Sequence, residues 1–295
     1  MHSTSPKFAI FGNTYQVEKS ASLIKLLVTL QSFSARIAIE ETFYDFIRDT
    51  LPLTFTPDET IRTTDFTANF VISLGGDGTF LKSAAYVGSK GIPIIGINTG
   101  HLGFLADVAP DEIEEVIDGL FKGRYTIERR SVLRVTVPHK RLSVYPCALN
   151  EVAILKHDNS SMINIRAYVD SNYLNTYKAD GLLVTTPTGS TGYNLSAGGP
   201  IVAPNSRSIV LSPVAAHSLN VRPIVLNDDC TIKLETDSRN HSYLISIDGR
   251  SQSLPEGATL TIRKAPYSIY VVKKPNSQYF DTLRNKLMWG ADKRL

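Results

Sequence analysis

Apolar residues in the first 120 or so positions follow two alternating rhythms. Short, nearly continuous apolar runs, KFAIF at 7–11, ARIAIE at 35–40, FVISL at 70–74 and IPIIGI at 92–97, have the length and β-branched content of buried strands. Between them apolar positions recur at helical spacing. Leu23, Leu26, Leu27 and Leu30 do so within VEKSASLIKLLVTLQSF (17–33), a weaker pattern covers 41–50, and TFLKSAAYV (79–87) and PDEIEEVIDGLFKG (110–123) follow, the last opened by Pro110. This alternation predicts right-handed βαβ crossovers and a Rossmann-like parallel sheet covered on both faces, with ligands gathered at the C-terminal ends of the strands.

After Arg124 the helical rhythm fades. RYTIERRSVLRVTV, SVYPCALNEVAIL, INIRAYVD, GLLVTT, SIVLSPV, TIKLETD, SYLISID, ATLTIRK and YSIYVVKK are β-rich segments punctuated by Asn, Asp, Gly, Ser and Pro. That is the signature of an all-β, sandwich-like domain. The last twenty residues, NSQYFDTLRNKLMWGADKRL, read as helix again, and a lone helix after a β domain is expected to pack back on the α/β domain. The pattern divides the chain into an α/β domain over 1–123 with a returning tail over 275–295, and a β-rich domain over 124–274.

Composition narrows the class. The 295 residues are 42% hydrophobic and 20% charged, an ordinary balance for a globular protein, and no apolar run is long enough to span a bilayer. The stretch Met1–Lys7 lacks the apolar core of a secretory signal, so the cytoplasm is the expected compartment. A net charge of +3 with scattered Lys and Arg predicts neither nucleic-acid nor membrane binding. Cys147 and Cys230 fall in no CxxC or Cys/His pattern, and no metal site built from protein ligands is expected.

Two stretches carry chemistry. SLGGDGTFLKSA (73–84) places Asp77 among Gly75, Gly76 and Gly78 where a buried strand ends, with Thr79 expected to open the following helix. No GxGxxG follows a strand and no GxxxxGK[ST] occurs, so this is neither the usual dinucleotide fingerprint nor a Walker loop. Glycines let phosphate oxygens approach backbone N–H groups at a helix N-terminus, but a carboxylate there repels phosphate unless it takes a proton or faces a cation. Two roles survive: general base toward a hydroxyl, or ligand to Mg²⁺ carried by a nucleotide. A plain strand-to-helix turn with Asp as a cap is the structural alternative. The second stretch, ADGLLVTTPTGSTGYNLSAGGPIVAP (179–204), crowds small and hydroxylated residues without strand alternation, which suits a close backbone approach to a flat or phosphorylated ligand or, alternatively, a solvated loop. Asn150-Glu151 interrupts an apolar run, as buried polar or ligand-binding pairs do.

Together these pieces resemble the NAD kinase family, in the family's order: GGDGT (75–79), NTGHLGFLAD (98–107), NE (150–151), DGLLVTTPTGSTGYNLSAGGP (180–200), HSLNVRPIV (217–225) and YFDTLRNKLMW (279–289). GGDGT is shared with diacylglycerol-type lipid kinases and 6-phosphofructokinases; the motif at 180–200 discriminates. The resemblance implies transfer of the γ-phosphate of ATP to the 2′-hydroxyl of the adenosine ribose of NAD, with Mg²⁺ accompanying ATP, in a homo-oligomer, dimer or tetramer. It implies that Asp77 faces that hydroxyl, with Gly75, Gly76, Gly78 and Thr79 forming the phosphate loop. It also implies that Asn150 and Glu151 hold the base and ribose of NAD. Thr191, Gly192, Tyr193, Asn194, Leu195 and Ser196 would wrap the ligand, with Asp180, Lys178, Ser161 and Arg250 lining the site. Gly192 stands where many members have Ala, which leaves more room beside the ligand, and Arg250 where some have an uncharged residue. Two other functions compete: a GGDGT-type kinase for a lipid or sugar phosphate, which should show an apolar membrane-facing surface, and a non-catalytic dinucleotide-binding module, which would not need Asp77.

Overall fold

A computed structural model of the chain describes residues 5–14, 20–50, 55–100, 102–157, 161–275 and 277–288. Three expectations fall on other residues: the start of the first helix at 17–19, His101, and the helical tail beyond 288. The chain forms two compact units, Met1–Arg129 with Ile269–Leu295, and Arg130–Ser268. These divisions lie a few residues from those suggested by pattern at 123/124 and 274/275, because each falls inside a strand rather than where the helical rhythm stops.

The first unit alternates β1 (Lys7–Gly12), α1 (Ser20–Ser32), β2 (Arg36–Glu40), α2 (Glu41–Thr50), β3 (Glu59–Ile61), β4 (Phe70–Leu74), α3 (Asp77–Val87), β5 (Ile94–Ile97) and α4 (Ile113–Phe121). Its strands are parallel, in the order β3-β2-β1-β4-β5, with Ile10 level with Ile39 on one side and Ile72 on the other. Side-chain alternation divides the core. Phe8 and Ile10 pack with Leu23, Leu26 and Leu30 of α1 and Ile117 of α4, whereas Phe11 points the other way onto Phe66 and Tyr86, with ring centroids 5.7 and 5.0 Å away. The strand order reverses between β1 and β4, and a crevice outside their carboxyl ends is where α/β sheets of this kind take ligands. Gly75–Asp77 emerges there.

Two helix starts differ from the pattern. The third helix begins at Asp77, not Thr79, because Gly76 takes an extended conformation and serves as N-cap, so Asp77 lies in the first turn. Ahead of α4, residues Pro110–Glu112 form a 3₁₀ turn in which the Glu112 carboxylate accepts the Ala109 N–H at 2.8 Å. The three-residue strand β3 had no pattern of its own.

The second unit holds β6 (Thr126–Thr136), β7 (Cys147–Ala148), β8 (Glu151–Lys156), β9 (Ile163–Val169), β10 (Asn172–Ala179), β11 (Gly181–Thr185), the single helical turn α5 (Tyr193–Ser196), β12 (Ser208–Val214), β13 (Ile224–Asn227), β14 (Ile232–Asp237), β15 (Ser242–Ile247), β16 (Arg250–Pro255) and the start of β17 (Leu260–Lys273). One antiparallel sheet runs β13-β12-β11-β8-β15-β16; β10-β9-β14 and the start of β17 form the other layer. Val152, Ile154, Leu182, Val184, Leu211 and Ile245 from the first layer meet Ile163, Ile165, Ile232, Leu234 and Ile262 from the second in one core, as in a sandwich.

Both ends of β17 matter, since its last residues return to the first unit, where Val271 pairs with Ile94 of β5. The final helix α6 (Tyr279–Leu287) belongs to that unit too, burying Leu283 and donating from Lys286 to the Leu102 carbonyl. Among the described residues no helix is long and apolar enough to cross a membrane.

Lys273, at the end of β17, donates to Asp107 at 2.6 Å, and both side chains are only 8% exposed. Removing one partner of so enclosed a pair leaves an uncompensated charge. Lys273→Ala is therefore expected to destabilise the protein by about 3–5 kcal/mol, read as a lowered urea midpoint. Pairing Lys273→Met with Asp107→Leu should recover most of that loss.

Candidate active site

The three glycines before and after Asp77 serve different ends. A methyl group on Gly75 would lie 2.4 Å from Thr79 Oγ1, so the fold itself requires glycine at 75. Among the described residues a Cβ at Gly76 or Gly78 would meet nothing within 4 Å, and both residues are exposed. No contact among those residues demands glycine at these two positions. What their missing side chains leave is bare backbone at the N-terminus of α3, where N–H groups and the helix dipole favour an anion.

Asp77 is partly buried and its carboxylate is already engaged. Oδ2 accepts the Phe104 N–H, and Oδ1 accepts those of Leu105 and Ala106, all at 3.0 Å. The loop 102–106 lies so close that a Cβ on Gly103 would sit 2.1 Å from Asp77 Oδ1, and one on Gly96 2.3 Å from the Leu105 carbonyl oxygen. Asp77 thus shapes the NTGHLGFLAD loop. Neither the general-base nor the capping reading anticipated that role; the helix shows no side-chain cap at all. Oδ2, with one donor against two on Oδ1, retains acceptor capacity on its less occupied side. Nearby, Glu40 at the end of β2 accepts the Phe43 N–H at 3.0 Å and holds Lys82 of α3 at 3.2 Å. Lys82 is a cation near the strand ends that the sequence reading passed over, although it follows Asp77 on the same helix.

A second cluster lies in the β unit. Asp248, in a left-handed conformation at the β15–β16 turn, accepts the N–H groups of Leu149, Asn150 and Glu151 at 2.7, 2.9 and 3.1 Å. The Asn150 carbonyl takes the Thr186 N–H at 2.9 Å, and a Cβ on Gly189 would fall 2.3 Å from that carbonyl oxygen. Backbone clamped on both sides aims the two side chains, and Asn150 Oδ1 and Glu151 Oε2 are enclosed without a hydrogen-bond partner among the described residues. Buried polar atoms left unpaired in a rigid frame point to an absent ligand. Burial, and then the charge of Asp248, push the Glu151 carboxyl up to about 7, against the pull of the Tyr193 N–H.

Of the residues in 179–204, several maintain the fold instead. Asn194 is fully buried, donating to the Ser190 and Pro200 carbonyls and accepting from Ser212 Oγ at 2.6 Å, so its side chain is committed within the fold. Thr186, Thr188 and Ser190 are buried as well, so the stretch is no solvated loop. Thr191 leans back on the Thr188 carbonyl, Leu195 is partly buried, Ser196 is exposed, and the Tyr193 ring is 39% exposed. A Cβ on Gly192 would lie 3.2 Å from Glu151 Oε2 and 3.4 Å from Asn150 Nδ2, so the glycine leaves room beside that pair. Asp180 pairs with Lys156 at 2.8 Å, a partner not anticipated, while Lys178 is exposed on β10 and Ser161 is partly buried. Arg250 donates to the Cys147 carbonyl at 2.9 Å and lies over the Tyr145 ring, so its guanidinium braces the β7 segment. Among the described residues no three His, Cys, Asp or Glu side chains converge on a metal position.

Bare backbone at a helix N-terminus suits phosphate, and a carboxylate set within it whose Oδ2 keeps acceptor capacity suits a hydroxyl; together they fit a phosphotransferase. Residues 13–125 match the model of the ATP-NAD kinase N-terminal domain and 149–274 that of the ATP-NAD kinase C-terminal domain. The chain belongs to the NAD kinase family. It is similar to the NAD kinase of Bacteroides fragilis, 54% identical over 98% of this chain and 100% of that protein. It is also similar to the NAD kinase of Porphyromonas gingivalis, 44% identical over 97% and 98%. In fold it resembles a yeast NADH kinase solved with NADH (TM-score 0.89, 22% identity, 100% of this chain and 91% of that one). It likewise resembles an NAD kinase from Archaeoglobus fulgidus solved with ATP (TM-score 0.74, 24% identity, 96% and 98%).

The glycines make separable predictions. Gly78→Ala, in the first turn of a helix with open space at its Cβ, should leave stability unchanged or raise it by up to about 1 kcal/mol. The same change should lower kcat/KM by about tenfold or more, because the methyl group displaces the reacting phosphate. Gly75→Ala should lower the melting temperature through its clash with Thr79. Equal stability loss in both variants would show that the loop is structural throughout.

Proposed function

We propose that this chain transfers the γ-phosphate of ATP to the 2′-hydroxyl of the adenosine ribose of NAD, yielding NADP. The observation that carries this reading is the open backbone of Gly76 and Gly78 on either side of an oriented carboxylate. The relatives named NAD kinase, and the solved NAD and NADH kinases with ATP and NADH, support the substrates.

The chemistry asks little covalent work of the protein. Phosphoryl transfer passes through a loose transition state in which the attacking hydroxyl loses its proton late, so orientation followed by proton acceptance suffices. Asp77 serves as that acceptor through Oδ2, its orientation set by the three N–H bonds from 104–106. The N–H groups at the start of α3 hold phosphate oxygens. Asn150 and Glu151 contact the ribose and base of NAD through the two atoms that lack partners, and the exposed face of Tyr193 stacks on a flat ring. Mg²⁺ fits as a companion of ATP, since it commonly keeps waters and is held largely by phosphate oxygens. Bound with ATP, the ion would neutralise phosphate charge. The enzyme would act in the cytoplasm as a homo-oligomer, a dimer or tetramer.

The direct test supplies NAD, ATP and Mg²⁺ to the purified chain and follows NADP; no NADP at any enzyme concentration would refute the assignment. Asp77→Asn should lower kcat by about 10²-fold or more. Because the new amide nitrogen would face the Phe104 N–H, a lowered melting temperature should accompany the loss. Near-normal turnover in this variant would remove Asp77 from the chemistry. Tyr193→Ala should weaken NAD binding by about 1 kcal/mol, roughly fivefold, with less effect on ATP; equal losses for both substrates would make the ring a fold element.

A further inference from the structure

Asp248 and Glu151 are two carboxyl groups enclosed in the same corner of the β unit, joined through the backbone. Asp248 accepts the Glu151 N–H, and the Asp248 N–H donates to the Glu151 carbonyl at 3.1 Å. Two enclosed carboxylates this close oppose each other's ionisation, so one of them holds its proton more tightly. The hydrogen bonds decide which. Asp248 has three backbone donors, and the Arg250 guanidinium stands 3.9 Å from its Oδ2. Burial is the largest influence on the Asp248 carboxyl and leaves it raised, while those four groups all favour its anion. Glu151 has the Tyr193 N–H alone to favour its anion, and its Oε2 is enclosed with no donor among the described residues. Among the described residues the segment 185–196 packed beside it carries no ionisable side chain but Tyr193, β11 and β15 present none but Tyr243, and the buried Arg130 guanidinium donates to Thr188 Oγ1 of that segment, 3.5 Å away. Donors therefore settle the negative charge on Asp248, leaving the proton on Glu151.

We propose that Glu151 enters the NAD complex as the neutral acid, a hydrogen-bond donor, and that Asp248 is the positioning residue that keeps it so. This rests on the reading of Asn150 and Glu151 as contacts of NAD. A neutral Glu151 offers an O–H to an uncharged acceptor on the nucleoside, a ribose oxygen or a purine ring nitrogen. An ionised Glu151 could only accept, and it would add a second negative charge beside Asp248 in a site that must admit a dinucleotide diphosphate.

The sign follows directly. With the free carboxyl half-protonated at about 7 and the complex holding its proton, affinity for NAD is full below that pH and falls tenfold for each unit above it. The test measures the NAD dissociation constant of the full chain by calorimetry, without ATP, from pH 6 to 8.5. Wild type should weaken about 30-fold over that range and take up about one proton per NAD bound at pH 8. Glu151→Gln, a donor that cannot ionise, should show no slope and should bind NAD more tightly than wild type at pH 8.5. Asp248→Asn should start its loss of affinity at lower pH. A flat wild-type profile with no proton uptake, or a slope that persists in Glu151→Gln, would overturn the proposal, and the glutamine variant decides it even if Asp248→Asn fails to fold. Asn150→Ala separates the two levels: wild-type affinity at every pH would refute the pair as NAD contacts, whatever the slope.

Discussion

Three consecutive backbone N–H groups that have no strand partner need another acceptor, and in each unit of this chain one aspartate supplies it. Asp77 takes those of residues 104–106 and Asp248 those of 149–151. Each buried N–H left unpaired would cost roughly 1–3 kcal/mol, so either carboxylate secures an irregular segment that could not otherwise hold its shape. An ionised carboxylate suits the task because it accepts at two oxygens without needing a donor of its own.

The surrounding glycines follow from this closeness. Gly103 and Gly96 let the 102–106 loop lie against Asp77 and β5, and Gly189 lets the 186–190 turn press on the Asn150 carbonyl. Gly76 and Gly78 belong to a different class, because among the described residues nothing occupies the space beside their α-carbons. Separating glycines that the backbone requires from glycines that nothing in the fold requires distinguishes scaffold from binding surface. The distinction also explains how a residue proposed for catalysis can be structural: Asp77 is oriented by the loop that it organises, so its aim toward a substrate costs no further ordering.

A polar motif can likewise divide its labour. Thr186, Ser190 and Asn194 spend their hydrogen bonds inside the β unit, whereas Asn150 Oδ1 and Glu151 Oε2 have none to spend there. Both groups are polar, and neither stretch shows by its own pattern which role a residue takes. Only the accounting of donors and acceptors separates them.

Periodicity alone determined the alternation of strands and helices up to α4, the β-rich remainder and the returning helix α6, because apolar spacing reports directly on which face of an element is buried. The motif order was sufficient to place the chain among NAD kinases. Local pattern could not foresee β3, too short to show a period, nor the start of α3 at Asp77, which depends on the extended conformation of Gly76. Nor could it pair Asp77 with residues 27 to 29 positions away, Asp248 with residues 97 to 99 away, or Asp180 with Lys156. Hydrogen bonds between distant segments and the burial that shifts a carboxyl's proton affinity arise only when the chain closes on itself, so the raised proton affinity of Glu151 was decided by the tertiary structure.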